Sequence, residues 1–178
     1  YLSLNQITNA IKYLRHAIQL EPNFPDAYNT LGNALRTLAM QYLPDISPVW
    51  ILSKSTSSEE HVDNNIRKSS FQAFSPSSPL KQSTAEKNEM YTSKISAHES
   101  LCREALACYR MALKLKPDHS IAYANLGVAL RERGQIREAI HCQVTAARLN
   151  PEFAAPHCNL GNLLRDQGKL QQAIAHYL

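Results

Sequence analysis

The sequence predicts an all-α protein, a superhelical solenoid of stacked helix pairs that is interrupted by one long insert. Two observations predict this fold class. Residues recur with a period of 34, so that Gly127 returns as Gly161 and Pro117 as Pro151. Between these marks, apolar residues return at intervals of three and four, which places them on one face of a helix. Several residue types sharing one register indicate an internal repeat.

Each repeat is predicted to contain two helices. In the repeat that spans residues 120–153, Gly127 lies in the apolar stripe of the first helix, where the missing side chain lets the second helix approach. Gly134 follows and is expected to end the first helix in a left-handed turn. Ala139 and Ala146 are small because the next helix packs against them, and larger residues there would overpack the core.

The pattern continues on both sides of this repeat. Residues 154–178 match it, Tyr28–Leu35 matches a first helix, and Ala10–Ala17 and Ala105–Ala112 match second helices. All five glycines of the chain fall at equivalent positions. Stacks of this kind need about three repeats for stability, a number that the chain satisfies. Both ends cut through a repeat, so the chain is expected to be a fragment of a longer protein.

One interval departs from the period, because Gly32 and Gly127 are 95 residues apart, 61 more than one repeat. We therefore expect a repeat array over residues 1–39, an insert over 40–100 and the continued array over 101–178. The insert is rich in serine and proline and lacks a helical period, so we expect it to be mostly disordered, with a helical stub near Lys94–Ser100. A passive loop, a regulatory loop and a retained intron remain alternative interpretations.

Three serines of the insert precede proline, namely Ser47, Ser75 and Ser78. This dipeptide suits proline-directed kinases, so these serines are candidate phosphorylation sites. A phosphate would add negative charge to a segment that is otherwise polar.

Composition limits the remaining function classes. The net charge is +4 without a clustered run of Lys or Arg, so nucleic-acid binding is not expected. No apolar run reaches the ~18 residues of a membrane span, so no membrane association is expected. The four cysteines form no C-x-x-C pair, which favours reduced thiols in the cytoplasm and/or nucleus. No catalytic or metal-binding motif is present, so no metal or cofactor is expected in this chain.

A possible binding site lies off the apolar stripe. Asn125 and Asn159 occupy the sixth position of consecutive repeats, on the predicted concave surface. Asparagine is a mediocre helix former, and its amide both donates and accepts hydrogen bonds. A row of such amides can bind the backbone of an extended peptide, although a solvated polar face explains the pattern equally well. In the interrupted repeat the sixth position is held by Thr30, which departs from the pattern of asparagines.

The repeats resemble the tetratricopeptide repeats of O-GlcNAc transferase. The resemblance is carried by PNFPDAY at 22–28, by CYRMALKLKPDHSIAYANL at 108–126 and by PEFAAPHCNL at 151–160. Related O-fucosyltransferases of the SPINDLY type contain similar repeats. The resemblance implies a substrate-binding arm of an enzyme that glycosylates Ser and Thr of intracellular proteins, with UDP-GlcNAc as the donor in a separate catalytic domain.

In that family a row of asparagines at the sixth position binds protein substrates, which implies the same role for Asn125 and Asn159. The resemblance also leaves homodimerisation through the array open. The alternative is a tetratricopeptide adaptor or assembly scaffold without an enzyme. One form of adaptor clamps a peptide carboxylate with Lys or Arg at positions two, five and six, but residues such as Asp26, Ile121 and Ala155 stand there instead.

Overall fold

The computed structural model describes the backbone of residues 4–42 and 79–177, and the side chains of 4–42 and 89–176. These residues form seven helices. They are α1 (Leu4–Leu20), α2 (Pro25–Met40), α3 (Pro79–Leu115), α4 (Ser120–Glu132), α5 (Ile136–Leu149), α6 (Ala154–Asp166) and α7 (Leu170–Tyr177). The all-α fold class predicted from the sequence is confirmed.

The chain divides into two compact units. One contains Tyr1–Met40 together with Glu99–Leu178, and the other contains Gln41–His98. The first unit holds the repeats. Its first helices are α2, α4 and α6, and its second helices are α1, the end of α3, α5 and α7.

Glycine turns separate the two helices of the uninterrupted repeats. Gly134 and Gly168 both have φ of 75°, in the left-handed region that glycine adopts without strain. The backbone N–H of Gly134 donates to the Arg131 carbonyl at 2.9 Å, and that of Gln135 to the Leu130 carbonyl at 3.0 Å. These bonds satisfy carbonyls at the end of α4, so the turn predicted at Gly134 is confirmed.

The helices of one repeat approach each other most closely at a glycine. A Cβ built on Gly127 would lie 2.5 Å from Gln143 Nε2 and 3.2 Å from the Ala139 carbonyl oxygen. Gln143 is 1% exposed, and its Nε2 donates to the Ala124 carbonyl at 2.9 Å. The amide of α5 is therefore seated against α4 in the space left by the glycine side chain.

The same arrangement joins α2 to the end of α3. A Cβ on Gly32 would lie 2.6 Å from Tyr109 Cε1, and Tyr109 is fully buried. Its hydroxyl donates to Asn33 Oδ1 at 2.9 Å. Because Tyr109 and Gln143 stand at equivalent positions, α2 and the end of α3 are the two helices of one repeat, and the extra residues lie between them.

Small residues fill the tightest part of the core. Five alanines, one on α4 and four on the second helices, are at most 1% exposed: Ala105, Ala112, Ala122, Ala139 and Ala146. Their size permits close approach of neighbouring helices, and a larger side chain would have to displace backbone.

The insert differs from the expectation in its last part. Helix α3 begins at Pro79, well before the stub predicted near Lys94–Ser100. Proline is suited to the first turn of a helix, and the residues that follow it as far as Leu115 include neither glycine nor another proline. Good helix formers therefore extend the helix, although this stretch lacks a strong apolar period. Residues 43–78 lie outside the described part, including Ser47, Ser75 and Ser78.

Candidate functional site

The candidate site is the face of the first helices that carries the repeated asparagines. Asn125 of α4 is half-buried, and its Nδ2 donates to Oδ1 of Asn29 on α2 at 3.0 Å. Asn29 is only 7% exposed. Asn29 follows Tyr28 and precedes Thr30, so its side chain lies about 100° round the helix from that of Thr30, and it faces α4. The amide of Asn125 therefore has a protein partner for one of its donors.

Asn159 occupies the equivalent position on α6 and is also half-buried. It forms no side-chain hydrogen bond within the described residues. Its amide is accordingly open to a ligand.

Thr30 does not extend the row of asparagines. Its hydroxyl is exposed and donates to the carbonyl of Asp26, one turn back in α2, at 2.8 Å. Such a bond satisfies the hydroxyl within its own helix. The structure thus places two amides, rather than three, at the sixth position.

The asparagines at the ninth position serve the fold. Asn33 accepts the hydroxyl of Tyr109, as described above. Burial is the largest of the effects that raise the pKa of Tyr109 to about 12, so the phenol stays a donor at neutral pH. Asn162, its equivalent on α6, also has an interaction partner within the structure.

Sequence reasoning missed a row of arginines at the twelfth position. Arg36, Arg131 and Arg165 stand at equivalent places in α2, α4 and α6. Arg36 forms an ion pair with Glu132 of α4 at 2.7 Å, and Arg165 forms one with Asp166 at 3.2 Å. Their spacing of 95 and 34 residues was a signal available in the sequence.

A buried histidine was missed as well. His119 is 6% exposed at the start of α4, at the position held by Phe24 and Phe153 in the neighbouring repeats. Its Nε2 lies 3.0 Å from Asp26 Oδ1 without forming an aligned hydrogen bond. The imidazole therefore fills a position where its neighbours have an aromatic ring.

The thiols of Cys102, Cys108 and Cys142 are unsuited to nucleophilic chemistry at neutral pH. Burial is the main cause that raises the pKa of Cys108 and of Cys142 to about 11, and it also raises the pKa of Cys102. None of the four cysteines forms a disulfide, and only Cys158 among them is exposed. Protonated, buried thiols are poor nucleophiles.

The described residues contain no cluster of three or more His, Cys, Asp or Glu side chains that could hold a metal ion. His157 is half-buried, with its ring centroid 6.1 Å from that of His176. In the described part of the chain, no helix has the length and apolar character needed to cross a bilayer.

Together, the paired helices, the glycine contacts and the polar first-helix face define a helical repeat scaffold. The tetratricopeptide family accounts for it: a model described as TPR repeat matches residues 1–38, and models described as tetratricopeptide repeat match residues 108–141 and 127–178. The chain is thus built of tetratricopeptide repeats, the class of protein-interaction scaffold predicted from its sequence. A comparison with curated protein sequences found no match.

The fold is shared with a solved tetratricopeptide protein. A thermophilic TPR protein of Thermus thermophilus is similar with a TM-score of 0.61 at 14% identity, over 98% of this chain and 63% of that one. MamA of Desulfovibrio magneticus is similar with a TM-score of 0.43 at 20% identity, over 96% of this chain and 81% of that one. The chain therefore spans less than two thirds of the first of these proteins.

Proposed function

We propose that the chain binds protein partners as extended peptides along the face of its first helices, with Asn125 and Asn159 bonding the peptide backbone. The observation that carries the proposal is the placement of both amides at one register on α4 and α6, which contact each other. An amide supplies a donor and an acceptor, so it can pair with a peptide C=O and N–H regardless of the peptide's side chains. Asn125 keeps one N–H and its lone pairs for this role after bonding Asn29.

We further propose that this array is the substrate-binding arm of an O-GlcNAc transferase-like protein that acts on Ser and Thr of intracellular proteins. The support is the sequence resemblance around PNFPDAY and PEFAAPHCNL. In this proposal the transferase activity and its UDP-GlcNAc donor belong to a catalytic domain outside this chain. A full-length transcript tests it: a reading frame that continues into a glycosyltransferase domain supports the enzyme, and one that ends after further repeats leaves an adaptor scaffold.

Peptide binding is tested with a displayed library of random twelve-residue peptides, selected on the whole chain. Binding of the selected peptides is then measured by fluorescence anisotropy. Replacing Asn159 with Ala should weaken binding about two- to twelvefold, the equivalent of one hydrogen bond. The melting temperature should not fall, because Asn159 has no bond to lose within the described residues and alanine is the better helix former.

Asn125→Ala should both weaken binding and destabilise the stack, because it leaves the buried Oδ1 of Asn29 without its partner. Asn9→Ala is the matched control, since it makes the same change at an exposed position of α1, a second helix. Equal affinities for Asn159→Ala, Asn9→Ala and the unchanged protein would contradict the proposed site. A library that yields no binder would contradict peptide binding itself.

A further inference from the structure

The contact between α2 and α4 is called the first junction, and besides the approach of His119 to Asp26 it contains two side-chain bridges. Asn125 bonds Asn29 at 3.0 Å, and Arg36 pairs with Glu132 at 2.7 Å. In each bridge, the residue on α4 lies one position later in its repeat than its partner on α2 lies in the preceding repeat. The side chains of Arg36 and Glu132 are each less than a third exposed, so the pair is partly shielded from water.

The contact between α4 and α6, the second junction, lacks both bridges. The residue equivalent to Asn29 is Ala124, whose methyl group cannot bond Asn159. The residues equivalent to Arg36 and Glu132 are Arg131 and Asp166, but Asp166 pairs instead with its neighbour Arg165 at 3.2 Å. Arg131 is exposed and forms no ion pair within the described residues. Within the described residues, the amide of Asn159 and the guanidinium of Arg131 thus have no side-chain partner at the second junction.

Positive charge predominates beside this junction. The turn between α4 and α5 adjoins the turn between α6 and α7, since Gly134, Arg137 and Gln167 line a common cleft. Arg137, in the first turn of α5, and Lys169, between α6 and α7, are exposed. Of the nearby acids, Glu132 and Asp166 are ion-paired, whereas Glu138 lines the same cleft and keeps its charge while it accepts a hydrogen bond from the neutral amide of Gln135 at 3.2 Å.

We propose that the second junction determines the specificity of the groove and selects an extended peptide that carries an acidic side chain. Asn159 holds the peptide backbone, and Arg131 receives the carboxylate. This inference rests on the proposed function, because it presupposes a peptide along the first helices. Guanidinium and carboxylate match in charge and in donor–acceptor geometry, which makes an acidic segment the complementary partner.

The same random twelve-residue library tests this inference, now selected in parallel on the unchanged protein, on Arg131→Gln and on Arg148→Gln. Arg148 is the matched control, because both arginines are exposed and lie in the last turn of their helices, α4 and α5. Loss of either charge removes the same favourable interaction with the helix dipole. Only Arg131 lies at the second junction.

Asp or Glu should be enriched at one position in peptides selected on the unchanged protein and on Arg148→Gln, and this enrichment should disappear on Arg131→Gln. A selected peptide should lose roughly two- to fivefold in affinity when its acid is replaced by the amide, as expected for one exposed ion pair. That loss should be absent with Arg131→Gln and smaller at high salt.

Binders without acidic enrichment would overturn the inference while leaving the proposed peptide binding in place. The absence of any binder would overturn both. A twelve-nucleotide oligothymidylate is measured beside the peptides. Equal affinity for it, with the same dependence on Arg131, would overturn the inference in favour of a nucleic-acid surface.

Discussion

The contact between Gly127 and Gln143 makes the stability of the stack depend on a single missing methyl group. In Gly127→Ala the new Cβ would lie 2.5 Å from Gln143 Nε2 and 3.0 Å from its Cδ. The amide would have to move, but it is buried and bonds the Ala124 carbonyl. The substitution therefore breaks a buried hydrogen bond and overpacks the interface between α4 and α5.

The opposing free energies can be compared. Leaving a buried hydrogen-bonding group without its partner costs about 1–3 kcal/mol. Overpacking costs about 1–3 kcal/mol more. Replacing glycine with alanine inside a helix stabilises the folded state by about 1 kcal/mol. The free energy of unfolding should therefore fall by about 1–5 kcal/mol, as measured by urea denaturation followed by far-UV circular dichroism.

A double-mutant cycle with Gln143→Ala isolates the cause. In that background the amide is gone, and of the three atoms nearest to the new Cβ only the Ala139 carbonyl oxygen, 3.2 Å away, remains. Gly127→Ala should then be nearly neutral or stabilising by up to about 1 kcal/mol. Equal effects of Gly127→Ala in both backgrounds, or a stabilising effect in the unchanged protein, would refute this reasoning.

Gly134→Ala is the matched control for the cycle. Nothing lies within 4 Å of a Cβ at this position, but the backbone φ of 75° strains any other residue. Its cost, about 1–2 kcal/mol, should be the same whether residue 143 is glutamine or alanine.

Two further outcomes are expected. Tyr109→Phe keeps the ring against Gly32 but removes the bond to Asn33, so the free energy of unfolding should fall by about 0.5–1.5 kcal/mol in the same urea assay. Burial raises the pKa of Cys108 and Cys142 from 9.0 to about 11, so the folded state holds these protons more tightly than the unfolded state does. The contribution of these two thiols to the free energy of unfolding should therefore be constant below pH 9 and should fall as the pH rises towards 11. Urea melts across this range, with Cys108→Ala and Cys142→Ala combined as the control, should show a smaller pH dependence in the double variant.

The sequence by itself determined the repeat and its local geometry. The period placed Gly134 at a left-handed turn and Gly127 at the closest approach of two helices, and both positions are found there. It also located the extra residues between α2 and the end of α3. These features follow from local constraints, because only glycine fits such backbone and such contacts at no cost.

Tertiary structure alone decided which polar side chains are satisfied and which stay open. Asn29 and Asn125, like Arg36 and Glu132, lie 96 residues apart in the chain and meet only because α2 and α4 stack side by side. At the next junction the described residues form neither bridge, because Ala124 stands in place of the asparagine that would bond Asn159 and because Asp166 pairs with Arg165. The 34-residue period predicts the same role for residues at equivalent positions. The partner that each side chain meets depends in addition on the distance and rotation between neighbouring helices.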